Sequence, residues 1–150
     1  MITYKVGDLL EATEPVIAQG CNCQGVMGSG VALAIRRKWP VVAQHYELIY
    51  RNYGLKPGQV ILVGIAEGIT VANCMTQEYY GGDGRQYVDY AAVRECFKYL
   101  ADKHVPRAGD GNAIAMPKIG AGLGGGDWEV IEKIIEEELG HLGVTVYTLE

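Results

Sequence analysis

Short apolar runs alternate with helix-like segments along the whole of this chain of 150 residues. Strand-like runs rich in β-branched residues occupy residues 2–6, 16–18, 60–63, 69–75, 113–116 and 144–149. Helical patterns occupy residues 31–38 and 40–50, and two more follow Asp89 and Asp127. This alternation predicts a single α/β domain over residues 1–150, a three-layer α/β/α sandwich around a central mixed, largely parallel sheet.

The two helices nearest the C-terminus each combine a capping residue with an apolar face. Asp89 and Asp127 are short acceptors that suit the N-cap position. Behind them apolar residues recur at helical spacing: Tyr90, Val93, Phe97 and Leu100 in one helix, and Trp128, Ile131, Ile135 and Leu139 in the other. We expect both apolar faces to pack on the sheet.

Charge and composition exclude several classes of partner. The 13 basic and 18 acidic residues give a net charge of −5, which argues against a general nucleic-acid-binding surface. No apolar run approaches the ~20 residues that span a bilayer. Lys5, Asp8 and Glu11 interrupt the stretch that would be apolar in a signal peptide. We expect a soluble cytoplasmic protein with no membrane partner.

The four cysteines and three histidines do not have the spacing of a metal site. Cys21 and Cys23 form a C-N-C pair, whereas Cys74 and Cys96 are isolated in apolar surroundings. Structural zinc sites combine two closely spaced ligand pairs, and the second pair is missing here. We therefore expect reduced, mostly buried thiols, no metal ligands and no cofactor.

Two glycine-rich segments each lie between a strand-like run and a helix. We name residues 20–30 the first glycine loop and residues 116–128 the second glycine loop. The second loop matches the pattern G-x-G-x-x-G at Gly120, Gly122 and Gly125, but only one helix and one strand follow it, so we expect no dinucleotide-binding fold of the Rossmann type. Backbone N–H groups of such loops, together with helix N-termini, bind anions. The pair therefore predicts a clamp around a diphosphate that needs no lysine or arginine.

Several stretches together resemble the ADP-ribose-binding macrodomain family. They are residues 7–10, 19–35 and 117–128, and the likeness extends to residues 73–77, 87–90 and 144–149. More narrowly, they are similar to the phage- and yeast-type branch, which includes ADP-ribose-1''-phosphate phosphatases. The resemblance implies ADP-ribose or a derivative as the ligand, with ADP-ribosylated protein or nucleic acid as a further kind of partner.

The resemblance also implies a set of ligand-binding residues. Asp8 and Leu9 would lie near the adenine, and Asn22 near the distal ribose. The set is Asp8, Leu9, Gly20, Cys21, Asn22, Gly28, Ser29, Gly30, Val31, Gln77, Pro117, Ile119, Gly120, Ala121, Gly122, Leu123 and Gly124. Tyr147 joins it on composition, because ten tyrosines against one phenylalanine favour aromatic rings with polar tips, which could cover the adenine or ribose. Structural alternatives remain open: Asp8 could cap the following turn, Asn22 could bond its own loop, and Tyr147 could serve in packing.

The catalytic residues of the hydrolytic branches are incomplete in this sequence. One branch has a lysine where this chain has Gln77 and an aspartate where it has Gly124, and another has an aspartate in place of Ala32. The catalytic candidates that remain are Asn22 and Asp83, with Asp83 as a base that activates water toward a 1''-phosphate. The alternatives are that Asp83 is a solvated turn residue and that the chain is a non-catalytic reader of ADP-ribosylated macromolecules or an ADP-ribosyl hydrolase.

Overall fold

A six-stranded sheet forms the centre of the computed structural model, which describes residues 2–65, 68–103 and 111–149. The strands are β1 (Ile2–Val6), β2 (Val16–Asn22), β3 (Val60–Gly64), β4 (Thr70–Gln77), β5 (Ile114–Met116) and β6 (Val144–Thr148), in the spatial order β1-β6-β5-β2-β4-β3. Every neighbouring pair is parallel except β3 and β4, which are antiparallel. The predicted mixed, largely parallel sheet is confirmed.

Four α-helices cover the two faces of this sheet in the described part of the chain. They are α1 (Gly30–Lys38), α2 (Pro40–Tyr53), α3 (Tyr90–Asp102) and α4 (Trp128–Leu139). Short 3₁₀ turns lie at Leu9–Glu11 and Gly140–Leu142. None of the described helices is long and apolar enough to cross a membrane.

Each face of the sheet has its own apolar core. Helices α3 and α4 bury Phe97, Ile131 and Ile135 against the strands, as their predicted apolar faces require. Helices α1 and α2 bury Ile35 and Tyr46 against the other face. Each fully buried side chain of this size stabilises the fold by about 1.5–3 kcal/mol relative to exposure, so both helical layers are firmly held. The three-layer sandwich is thus confirmed.

The predicted helix caps are present. The Asp89 carboxylate accepts from the N–H groups of Ala91 at 2.9 Å and Ala92 at 3.2 Å. The Asp127 carboxylate accepts from Glu129 N at 2.9 Å. Caps of this kind contribute about 1 kcal/mol each. These bonds give both aspartates a structural role.

Strand β2 is longer than the sequence predicted. It runs to Asn22 instead of residue 18, so Gly20 and Cys21 lie in the sheet and not in a loop. Pairing with β4 continues through Cys21 opposite Met75 and Asn22 opposite Gln77. A Cβ at residue 20 would stand 2.8 Å from the Thr76 hydroxyl, so the glycine allows close strand packing. The longer strand therefore places Asn22 at the carboxyl edge of the sheet.

Candidate functional site

A cleft of about 650 Å³ opens at the carboxyl ends of β2, β4 and β5. Parallel α/β sheets bind ligands at this edge, because loops from neighbouring strands meet there. Of the predicted ligand residues, the cleft brings together Gly20, Cys21, Asn22, Gly28, Ser29, Gly30, Val31, Gln77, Pro117, Ile119, Gly120, Gly122, Leu123 and Gly124. Both glycine loops therefore line the same cavity.

The first glycine loop is held in place by Asn22. Its side-chain oxygen accepts from Gln24 N at 2.9 Å, and its amide nitrogen donates to Val26 O at 2.9 Å. The buried Tyr46 hydroxyl, from α2, donates to Asn22 O at 2.6 Å. Because an amide nitrogen carries two hydrogens, one Asn22 N–H group has no partner among the described residues. Asn22 thus shapes the loop, as the structural alternative held, and keeps one donor at the cleft.

The first loop ends at the N-terminus of α1. The first backbone bond of this helix runs from Leu33 N to Ser29 O at 3.2 Å, so the N–H groups of Gly30, Val31 and Ala32 precede any acceptor in the helix. Ser29 occupies the N-cap position without a side-chain capping bond. These residues line the cleft, where the positive end of the helix dipole favours an anion.

Most glycines of the second loop are required by packing. Gly120 and Gly125 have φ angles of 76° and 70°, which side chains rarely adopt. A Cβ at Gly126 would lie 2.8 Å from the Gly120 carbonyl oxygen. Gly122 differs, because a Cβ there would meet nothing within 4 Å and its φ is not positive. Only Gly122 therefore has open space in front of it, on the wall of the cleft.

Three successive backbone N–H groups of the second loop are unpaired. The loop closes on itself through Gly125 N to Gly122 O at 3.0 Å and Gly126 N to Gly120 O at 2.7 Å. In the described part of the chain, the N–H groups of Gly122, Leu123 and Gly124 donate no hydrogen bond. Successive free amides in a glycine-rich turn form an anion-binding concavity. The second wall of the cleft thus has the same chemistry as the first.

Gln77 and Gly124 lie against each other at the end of β4. A Cβ at Gly124 would lie 3.0 Å from the Gln77 side-chain oxygen and 2.8 Å from Gly120 O. Gln77 is held by donating from its amide to Tyr79 O at 2.7 Å. No side chain fits at residue 124 without movement of its neighbours. Gln77 and Gly124, the two residues that depart from one hydrolase pattern, therefore pack against each other.

The cleft has few ionisable groups. Among the described residues that line it, none is Asp, Glu or His, and the charged one is Lys118. Cys21 lines the cleft, but its thiol is buried, and burial, together with the nearby Cys96 and Cys23 thiols, raises its pKa. A thiol with a raised pKa is a poor nucleophile because little thiolate is present.

Asp83 does not line the cleft. Its carboxylate accepts from the Tyr87 hydroxyl at 2.8 Å and from Arg85 N at 3.2 Å, and it forms an ion pair with the Arg85 side chain at 3.2 Å. These hydrogen bonds, that from Tyr87 first, lower the pKa of Asp83. The structure therefore places this predicted base in a turn of its own, held by local bonds.

Four predicted ligand residues lie outside the cleft lining: Asp8, Leu9, Ala121 and Tyr147. Asp8 caps the 3₁₀ turn by accepting from Leu10 N at 2.9 Å. Leu9 and Tyr147 are buried in one cluster, and the Tyr147 hydroxyl donates to Glu14 at 2.8 Å. Burial, and then this bond, raise the pKa of Tyr147 to about 12. Asp8 and Leu9 follow β1, and Tyr147 is the last residue but one of β6, so they occupy the same edge of the sheet beside the cleft.

Gln19, Thr76 and Lys118 line the cleft but were not predicted as ligand residues. Gln19 is buried, and its amide donates to Asn73 on β4 at 2.7 Å. The available signal was polarity: Gln19 and Thr76 interrupt strands whose other residues are mostly apolar. Buried polar residues in a central strand indicate a site more reliably than exposed ones do.

Comparison with known proteins gives a consistent result. The family model described as Macro domain matches residues 18–135. A DNA ADP-ribosyl glycohydrolase of Mycobacterium tuberculosis is 30% identical over 137 residues, which cover 89% of this chain and 37% of the relative. The chain thus spans little more than one-third of that protein. An ADP-ribose 1''-phosphate phosphatase of Candida albicans is 28% identical over 158 residues, covering 99% of this chain and 100% of the relative.

Solved structures agree with this result. A Bacteroides thetaiotaomicron protein of unknown function superposes with a TM-score of 0.84 and 35% identity, covering 98% of this chain and 97% of the other. The macrodomain of Thermus aquaticus DarG has a TM-score of 0.81 and 28% identity, with 99% and 98% coverage. Thermosipho africanus DarTG, solved in complex with ADP-ribose, shares the fold at a TM-score of 0.78 and 18% identity, covering 97% of this chain and 41% of that chain.

Proposed function

Because this chain belongs to the macro domain family, we propose that it binds ADP-ribose, free or as a terminal ADP-ribosyl group, with the diphosphate between its two glycine loops. One observation carries this proposal. Backbone N–H groups without a partner among the described residues line the cleft from both sides, at Gly30–Ala32 and at Gly122–Gly124. Such groups stabilise a diphosphate because they are fixed before the ligand arrives and need no reorganisation.

The rest of the ligand then has an assigned place on each side of the diphosphate. The distal ribose lies toward the ends of β2 and β4, where one Asn22 N–H group has no partner in the described part of the chain and Gln77 and Tyr80 line the cleft. The adenosine lies toward the ends of β6 and β1, beside Tyr147 and Asp8. A volume of about 650 Å³ is typical of cavities that enclose most of a small ligand.

Binding without turnover is the form of this function that the site favours. General acid–base catalysis needs a side chain within hydrogen-bond reach of the reacting group. No carboxylate or imidazole lines the described part of the cleft, and Asp83 is held in its own turn. We therefore propose that this protein is a reader that binds ADP-ribose through its two glycine loops and does not hydrolyse it.

Hydrolysis of ADP-ribose-1''-phosphate is the second candidate function. The observation that favours it is the Candida albicans phosphatase, which matches this chain over the full length of both proteins. In this mechanism water attacks phosphorus after giving a proton to the base, the bond from phosphorus to the 1'' oxygen breaks, and ADP-ribose leaves with its 1'' oxygen protonated. Loop amides stabilise the charge that develops on the phosphate oxygens. The base would be Asp83, as the sequence suggested, and its carboxylate would have to leave Tyr87.

The binding proposal is tested by calorimetric titration of ADP-ribose into the wild-type chain, Gly122→Val and Gly64→Val. Both glycines have open space and φ angles that valine tolerates, but Gly64 ends β3 far from the cleft. We expect Gly122→Val to weaken binding by roughly tenfold or more, since blocking one phosphate contact costs at least ~1.4 kcal/mol. Gly64→Val should bind like wild type. A wild-type chain that does not bind millimolar ADP-ribose would contradict the proposal.

Release of inorganic phosphate from ADP-ribose-1''-phosphate separates the two candidates. Wild-type protein that binds ADP-ribose but releases no phosphate is a reader. Phosphate release that Gly122→Val abolishes and Gly64→Val retains identifies a phosphatase that uses this cleft. ADP-ribosylated DNA and glutamate-linked ADP-ribose, offered in parallel, test the glycohydrolase alternative.

A further inference from the structure

We propose that Lys118 is an affinity-determining residue that pairs with the ligand's diphosphate. This inference rests on the proposed function, because it assumes that an ADP-ribosyl ligand occupies the cleft. It departs from the sequence interpretation, in which backbone groups alone held the phosphates. Lys118 is the charged residue among the described residues that line the cavity.

The Lys118 ammonium is not committed to a carboxylate. Lys38, Arg85 and Arg94 are paired with acidic side chains at distances between 2.7 and 3.3 Å. Lys118 has no such pair among the described residues, and its ammonium lies over the Trp128 ring, 5.9 Å from the centroid. A cation at this distance from an indole is held without being neutralised. It is therefore available to an incoming anion.

The position of Lys118 along the edge of the sheet indicates that its partner is the diphosphate. Lys118 follows β5 by two residues, and β5 lies between β6 and β2. Tyr147 lies next to the final residue of β6, on the adenosine side, whereas Asn22 ends β2, on the distal ribose side. A residue that leaves the sheet between them faces the middle of an extended ligand. The middle of ADP-ribose is its diphosphate.

Trp128 fixes the direction of this lysine. It begins α4, and its indole N–H donates to the Tyr4 hydroxyl at 3.0 Å. The ring is thus anchored to β1 and presents a fixed face to Lys118. The overall charge of −5 repels a dianionic ligand, so a local cation matters more here than in a basic protein.

The structural alternative is that Lys118 merely packs its stem on an aromatic ring. Lys103 provides the matched case, because its ammonium lies 5.2 Å from the centroid of Tyr99 at the end of α3, away from the cleft. The variants to compare are therefore Lys118→Ala, Lys118→Arg, Lys118→Glu and, as control, Lys103→Glu. Each is titrated with ADP-ribose at ~10 mM and at ~1 M NaCl, where screening lengths are about 30 and 3 Å.

At low salt we expect Lys118→Ala to weaken ADP-ribose binding by about threefold to fivefold, the range of a partly exposed ion pair. Lys118→Glu should weaken it further, whereas Lys118→Arg and Lys103→Glu should bind like wild type. At high salt wild type and Lys118→Ala should converge. Equal affinities of Lys118→Ala and wild type at low salt would overturn the inference, as would a loss of equal size at both salt concentrations. If wild type itself does not bind ADP-ribose, the proposed function fails first, and the variants are not needed to show it.

Discussion

The two glycine loops reach similar chemistry by different means. In the first loop, side chains position the backbone: Asn22 bonds Gln24 N and Val26 O, and Tyr46 of α2 bonds Asn22. In the second loop, the absence of side chains positions the backbone, because Gly120, Gly125 and Gly126 pack where a Cβ would meet other atoms. Within residues 2–65, 68–103 and 111–149, both loops then present N–H groups without a partner to one cleft.

This difference shows what each loop can tolerate. A loop built on hydrogen bonds fails when a polar side chain is removed, even far away in sequence. A loop built on close packing fails when any side chain is added. Stability measurements on a few variants can separate the two modes of construction.

The largest expected effect is that of Gly125→Ala in the second loop. Residue 125 has a φ of 70°, and an added Cβ would clash with the Arg85 carbonyl oxygen. Strain of the left-handed conformation and the clash together should lower the free energy of unfolding by about 2–4 kcal/mol. Urea denaturation measures this change.

Gly122→Ala is the control for that experiment. It lies in the same loop, with no positive φ and nothing within 4 Å of the added methyl group. We expect a change of about 0.5 kcal/mol or less, as for other unconstrained surface positions. Equal destabilisation by both substitutions would show that the second loop is not held by glycine packing.

The next largest effect is expected for Tyr46→Phe, which tests the first loop from α2. The Tyr46 hydroxyl is buried and bonds Asn22 O at 2.6 Å, so its removal leaves that carbonyl oxygen without this donor. The free energy of unfolding should fall by about 1–2 kcal/mol. Because the same bond positions the loop, ADP-ribose binding should weaken as well, measured by calorimetry.

Tyr53→Phe is the matched control on the same helix. Tyr53 is 86% exposed at the end of α2, so its hydroxyl has water as an alternative partner. Both stability and affinity should stay at the wild-type values. A Tyr46→Phe variant that loses stability but binds ADP-ribose normally would show that the loop does not depend on this bond for its shape.

The sequence predicted the sheet, the helices and most residues that line the cleft. It did not show which glycines are required by packing and which one has open space in front of it. Strand and helix patterns are local, and the residues that cap α3 and α4 lie beside the helices that they cap. By contrast, Tyr46 meets Asn22 across 24 residues, and Gly125 is constrained by Arg85, 40 residues away. Such contacts depend on how loops pack in three dimensions, so no periodicity in the sequence reveals them.

The position of the Lys118 side chain is a second feature that the sequence did not predict. The acidic composition favoured an anion site made of backbone groups, so Lys118 in the second glycine loop was not predicted as a ligand residue. Its placement above Trp128 depends on the second loop returning to α4. Asp8 was predicted from family resemblance and Tyr147 from the abundance of tyrosine, and their roles in adenine or ribose binding stay predictions because both residues lie beside the cleft and not in its lining.

The dependence of stability on alkaline pH is the next expected difference between the loops, because the first glycine loop contains the buried thiols of Cys21 and Cys23 and the second contains no cysteine. Burial, and then the neighbouring Glu78 carboxylate, raise the pKa of Cys23 from 9.0 to about 12. The unfolded chain therefore loses this proton at lower pH than the folded chain does. The stabilisation is fully present below pH 9 and is lost as pH rises through about 12.

We expect the urea midpoint of the wild-type chain to fall steadily above pH 9. Cys23→Ala should show a smaller fall over the same range, because the titrating group is gone. Both proteins keep Cys21 and Tyr147, whose pKa values are also raised by burial, so a residual slope above pH 9 should remain in each. Identical pH profiles of the two proteins would show that Cys23 is not protected in the folded loop.

The smallest expected effect is that of Asp83→Asn, because Asp83 belongs to neither loop wall. Its carboxylate is exposed, bonded by Tyr87 and Arg85, and has a lowered pKa, which makes it a weak base at neutral pH. ADP-ribose affinity should be unchanged, and the reader proposed above should release no phosphate from ADP-ribose-1''-phosphate with or without this substitution. Tyr87→Phe, which frees the carboxylate from its strongest partner, is the companion variant. A loss of phosphate release by about 100-fold in Asp83→Asn with binding intact, the size expected for a general base, would instead make Asp83 the catalytic residue and show that its turn opens toward the cleft.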